Sequence, residues 1–247
     1  MEDIDSYLKI RQRPLGRAAM LQRWDDLAFL HQRIDPEEIQ STLPDGLKVD
    51  TYRDESGAES AYIGLVPFRM RGIRLPGRPA IPYFSAFHET NVRTYVVHPE
   101  RGPGVWFYSL DAARRAACIY ARRFFHLPYR WTRMSVEAEG LARRYQSVRL
   151  EPPKPCVLSL DVELEGKPAA TEPGSLPFFF VERYQLFVEH RGRIFSGIVH
   201  HTPYEIQPAQ VRSYESQELT VLGFHDAGKW DSILFSPGVD VEIFSLK

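Results

Sequence analysis

Residues 105–134, VWFYSLDAARRAACIYARRFFHLPYRWTRM, restrict the fold of this chain more than any other stretch. Val105 to Leu110 is apolar and aromatic, as a strand in a core is. Asp111 follows, with a short carboxylate suited to a helix N-cap. Ala113, Ala116, Ala117, Tyr120, Ala121, Phe124 and Phe125 then recur at helical spacing and make one apolar face. Arg114, Arg115, Arg122 and Arg123 lie mostly off that face. Pro128 stops the helix, because proline has no amide hydrogen and disfavours a helical residue before it. The stretch predicts a strand, one prominent helix over about 111–126, and a second strand from Trp131.

The rest of the chain reads mainly as strands. Residues 24–33 are the first. Asp35, Pro36 and Glu38 are an N-cap, a first-turn proline and a third-position glutamate, so a short helix covers 36–42. Segments 48–53 and 60–71 form a hairpin, 74–82 is a proline-rich loop, and 84–97 is a long strand. Segments 131–139 and 141–150 pair around Glu139-Gly140. Residues 156–165 alternate in polarity, as a strand with one wet face does. Segments 184–190 and 193–199 pair around Arg191-Gly192, and the tail adds short strands broken at 226–228 and Pro237-Gly238. Many strands, tight turns and few helices predict a mainly-β antiparallel barrel or sandwich. Residues 1–20 read as a basic arm and 21–247 as one domain.

Composition removes several function classes. Net charge is −1, so no global field draws nucleic acid or an anionic membrane. Of the 31 basic residues only six are lysine, and nine arginines fall between Arg114 and Arg149. Arginine suits bidentate recognition of anions, but ion pairs and solvated faces account for most of the nine, and nucleic acid is the weakest partner class. Cys118 and Cys156 lack metal or redox spacing, as in a reduced intracellular protein. The first twenty residues hold no secretory signal and no apolar run approaches a membrane span, so a cytoplasmic chain is expected. No phosphate-binding or dinucleotide glycine motif, nucleophile elbow or H-E-x-x-H occurs. His88-Glu89 and His200-His201 are adjacent pairs whose members point to opposite strand faces. No metal and no cofactor are expected.

Several stretches carry a family resemblance: W..LAFLH from Trp24, LPDGLKVD from Leu43, AYIGLVPFRM from Ala61, FHETNVRTYV from Phe87, GVWFYSLD from Gly104, ARRFFHLPY from Ala121, Glu182-Arg183-Tyr184, and His201-Thr202-Pro203-Tyr204. Together they resemble the YqjF-like family of uncharacterised bacterial proteins over roughly 24–209. His88, Thr90 and Tyr204 depart from that family's usual residues. The family is similar in fold to acetoacetate decarboxylase, which implies a cone-like antiparallel β-barrel around a small pocket. The decarboxylase forms a Schiff base from a lysine with a depressed pKa. At the equivalent place this chain has His126-Leu127-Pro128-Tyr129-Arg130, so the resemblance does not bring that chemistry with it.

Phe87, Glu89, Asn91, Arg93 and Tyr95 share one strand parity, which sets a carboxylate, an amide and a guanidinium roughly 7 Å apart in a row. Such a row can bind a small carboxylate, with Glu89 as acid or base. Alternatively it faces solvent, with His88, Thr90, Val92 and Thr94 inward; the resemblance favours the pocket. Glu182 is a second candidate for catalysis, balanced against a structural ion pair. Tyr129 and Arg130 stand at the implied mouth, with Tyr129 as a hydrogen-bond donor. His201 is a candidate general base or ligand-binding group, against a structural histidine. The expectation is a pocket for an unidentified small molecule, acting on organic acids or carbonyl compounds or binding without turnover.

Overall fold

Long apolar and alternating runs become long strands in the computed structural model, which describes residues 4–82 and 85–247. In chain order the elements are α1 (Ile4–Ile10), β1 (Met20–Ile34), α2 (Pro36–Thr42), β2 (Lys48–Val49), β3 (Tyr52–Arg53), β4 (Glu59–Arg74), β5 (Phe87–His98), β6 (Gly102–Ala112) and α3 (Arg115–Phe124). There follow β7 (Tyr129–Glu139), β8 (Ala142–Arg149), β9 (Val157–Leu164), β10 (Ala169–Ala170), α4 (Leu176–Val181), β11 (Gln185–His190), β12 (Arg193–His201), β13 (Glu205–Ser216) and β14 (Ser232–Ile243). The start of the strand expected at Phe84 lies outside the described residues.

The strands form one sheet that closes on itself. β6, β11, β12, β14, β1, β4 and β5 are successive neighbours, and β5 pairs back onto β6. β13, β9, β8 and β7 run as a second course from β14 to β6. The sheet is mixed rather than purely antiparallel, because β6 pairs in parallel with both β7 and β11. A parallel partner needs a crossover connection, and α3 provides it between β6 and β7. β1 is apolar on both faces. Leu27 and Phe29 pack inside with Tyr62, Phe68 and Phe179, while Ala28 and Leu30 pack outside against Leu158, Leu160 and Val162.

The expected helix over 111–126 is shorter, and Asp111 is not its cap. Asp111 is still in β6, and Arg114 precedes α3 with no side-chain capping bond. The Asp111 carboxylate instead accepts from Arg149 Nε and Nη2 at 2.8 Å each, Ser109 Oγ at 2.7 Å and Thr132 Oγ1 at 2.7 Å. Arg149 Nη2 also donates to Glu218 at 2.7 Å. A buried carboxylate persists only when paired in this way, so the ion cluster outranks the cap. α3 buries Cys118 and Ala121 and leaves Ile119, Tyr120 and Phe124 exposed.

Three other expectations change. Pro237-Gly238 does not break the tail: β14 runs through it in one register against β1, with Asp25 opposite Gly238, Leu27 opposite Ser236 and Asp26 between them at φ 50°. Gly238 is required there, since a Cβ would lie 2.3 Å from the Trp24 carbonyl oxygen. The 48–53 segment divides, β2 pairing with β5 and β3 with β4. The N-terminal arm contains α1 and is pinned by Tyr7, whose hydroxyl donates to Asp50, the same carboxylate that accepts Arg183 Nη1 at 2.6 Å. The arginine-rich stretch makes no continuous free face, because Arg122 pairs with Glu151, Arg143 with Asp26, Arg144 with Asp161 and Arg149 with Asp111.

Candidate functional site

Every second residue of β5 points to one face, and that face opens on a cavity of about 710 Å³. Phe87, Glu89, Asn91 and Arg93 all line it. β4 adds Phe68 and Met70, β1 adds Trp24, and α3 adds Ala116, Ala117, Tyr120 and Ala121. Arg183 and Gln185 enter from the segment after α4.

Glu89 and Tyr129 meet because β6 lies between their strands. Asn91 pairs with Leu110 on β6, and Leu110 pairs with Tyr129 at the start of β7. From there the Tyr129 hydroxyl donates to Glu89 Oε2 at 3.0 Å. Burial pushes the Glu89 carboxyl up from 4.5 to about 8, opposed by the Tyr129 hydrogen bond and reinforced by the charge on Asp111. At neutral pH this group is mostly protonated. Burial and the neighbouring Glu89 also raise the Tyr129 phenol well above its usual value.

Arg93 is 8% exposed and has no ion-pair partner among the described residues. Its Nη2 donates to the Phe180 carbonyl at 3.0 Å and contacts the Tyr95 hydroxyl at 3.5 Å, while its Nε has no partner. The Asn91 carbonyl oxygen and Arg183 Nη2 are also unsatisfied. Buried polar groups are normally hydrogen-bonded, and these three unmatched atoms all belong to residues that line one cavity.

The other sequence candidates are placed apart from the cavity lining. Tyr95 is buried behind Arg93, with its hydroxyl 2.6 Å from His31 Nε2. Arg130 follows Tyr129 on β7, and successive strand residues face opposite ways. Glu182 binds the Tyr184 hydroxyl and accepts the Tyr204 amide at 2.9 Å. His201 has both ring nitrogens beside carbonyls, Thr202 at 2.8 Å and Arg183 at 3.2 Å. Burial pushes its pKa down to about 4, so the ring is neutral with no nitrogen facing the cavity. Arg183 and Gln185 enter from a distant segment, and no local spacing pointed to them as a pocket wall.

None of the six lysines lines the cavity. Cys118 is fully buried beneath α3, its thiol pushed up to about 12 by burial, which leaves it protonated and unsuited to nucleophilic attack.

The profile of the DUF2071 family, described as an uncharacterized conserved protein, matches residues 21–240. The uncharacterized protein YqjF of Bacillus subtilis (strain 168) is 35% identical over 197 residues, which are 80% of this chain and 78% of that protein. Among solved structures, the acetoacetate decarboxylase of Legionella pneumophila is similar with a TM-score of 0.65 at 13% identity, covering 96% of this chain and 90% of that one. The enduracididine biosynthesis enzyme MppR, complexed with pyruvate, is similar with a TM-score of 0.57 at 10% identity, covering 96% and 92%.

Proposed function

Because the chain belongs to the DUF2071 family and has an acetoacetate decarboxylase-like fold, we propose that it binds a small organic acid bearing a carbonyl group and acts on it without a Schiff base. The observation that carries this reading is Arg93, a buried guanidinium without a counter-ion among the described residues, beside an Asn91 carbonyl that is likewise unsatisfied. A ligand carboxylate would be the missing counter-ion, held by charge-assisted hydrogen bonds. Glu89, protonated at neutral pH, then donates a hydrogen bond toward the ligand carbonyl and serves as the acid-base group. Tyr129 orients it. That MppR, a protein of similar fold, is complexed with pyruvate supports a ligand of this chemical class.

The test is a thermal-shift screen against keto acids, hydroxy acids, simple ketones and sugars, with the Glu89→Gln and Arg93→Ala variants alongside. A ligand bound only by the native state raises the melting temperature by mass action. A carboxylate hit lost in Arg93→Ala supports the reading, and hits that ignore both substitutions overturn it. A second reading, binding without turnover, is favoured by the absence of lysine and cysteine from the cavity lining. A bound ligand recovered chemically unchanged after long incubation would select it.

A further inference from the structure

The cavity is far larger than its polar groups require. A three-carbon keto acid has only a handful of heavy atoms, whereas pockets of about 300–1,000 Å³ hold drug-sized ligands, and this one measures about 710 Å³. The pairing register orders its lining. Moving back along β5 from Arg93, the lining passes Asn91, then Glu89, then Phe87, a run of roughly 20 Å at strand rise. Beyond Glu89 the strand neighbours are apolar, Phe87 opposite Met70 and Met70 opposite Trp24, while Arg74, Arg78 and Arg114 also line the cavity at that end. Leu75, Ile81 and Tyr120 complete that end, and all three are large apolar side chains left exposed. α3 borders it with alanines, Ala116, Ala117 and Ala121, where larger side chains would fill the space.

We infer that the ligand is an amphiphile, a keto acid whose carboxylate reaches Arg93, whose carbonyl lies near Glu89, and whose apolar tail runs past Phe87, Met70 and Trp24. This rests on the head-group reading above and extends it to a substrate class. Each buried methylene then strengthens binding by about fourfold at most, since one methylene transfers with about 0.8 kcal/mol.

The experiment is a calorimetric titration of the full chain with pyruvate and the straight-chain α-keto acids of six, eight and ten carbons. The methyl ketone matching the eight-carbon acid is a carboxylate-free control. Two variants accompany it, Arg93→Ala and Ala117→Leu, the second placing bulk on the apolar side. The expected result is affinity rising two- to fourfold per methylene through the eight-carbon acid, with the ketone weaker by about tenfold or more. Ala117→Leu should flatten that rise. Arg93-dependent binding of pyruvate with no gain on lengthening would overturn the tail and leave the head-group reading standing. Long acids and the ketone binding equally, or no keto acid binding at any length, would overturn both.

Discussion

Tyr129 donates a hydrogen bond to Glu89 Oε2 across 3.0 Å, joining the first residue of β7 to β5 across the intervening strand β6. Both groups are buried, so the proton on Glu89 is controlled by two opposed effects. Burial favours the neutral acid, and the phenol favours the carboxylate.

Removing the donor shifts that balance. In Tyr129→Phe the Glu89 carboxyl should titrate above its present value of about 8, by roughly half to one pH unit for a hydrogen bond of about 1 kcal/mol. Carbon-detected NMR of the side-chain carboxyl across pH reads this directly. An unchanged or lower value would mean that Tyr129 does not stabilise the ionised form.

The same carboxyl makes stability pH-dependent in a known direction. Folded Glu89 keeps its proton up to about pH 8, whereas the unfolded chain releases it near 4.5. Between those values the folded state binds more protons, so this residue's contribution to stability falls as pH rises. Below 4.5 both states are protonated, and above 8 both are ionised and the penalty is constant. The stability of Glu89→Gln relative to the parent should therefore climb across that window, by at most about 1.4 kcal/mol per pH unit. Denaturant titrations of both proteins at several pH values measure the difference, and a flat difference would contradict the burial argument.

Arg93 separates binding from folding. Among the described residues its guanidinium has no carboxylate partner, so Arg93→Met removes a buried charge while keeping much of the side-chain volume. Stability should hold or improve slightly in the melting curve. Carboxylate binding should fall by about ten- to a hundredfold, the share of a charge-assisted hydrogen bond. A large loss of stability would mean that its bond to the Phe180 carbonyl dominates.

Asp111 and Arg149 behave in the opposite way. Their bidentate pair is almost wholly buried and joins β6 to β8. Arg149→Met strands Asp111 and Glu218 without a cation and should cost about 3–5 kcal/mol. For a domain of this size the melting temperature then falls by roughly 10 °C. A drop of only a degree or two would show that the cluster contributes little.

Much of the architecture was legible in the chain because it depends on local patterns. Alternation located β9, the Asp35-Pro36-Glu38 signal located α2, and Arg191-Gly192 located the β11–β12 turn. The row from Phe87 to Arg93 shares one face by the two-residue period alone, and which way that face points needed the fold. Asp111 shows where such reasoning stops. Its position before a helical pattern suits a cap, but Arg149, 38 residues later, is a stronger partner in a buried setting. Pro237-Gly238 shows the same, since a turn signal sits inside a continuous strand once β1 lies alongside.

By itself the sequence determined that the protein is strand-rich and that one helix joins two core strands. Those properties follow from residue type and short-range period. Only the tertiary structure decided that Tyr129 reaches Glu89, that Arg93 is buried with no counter-ion among the described residues, and that Arg183 joins the same cavity. Each depends on segments tens of residues apart brought together by sheet closure, a relationship that no local spacing encodes.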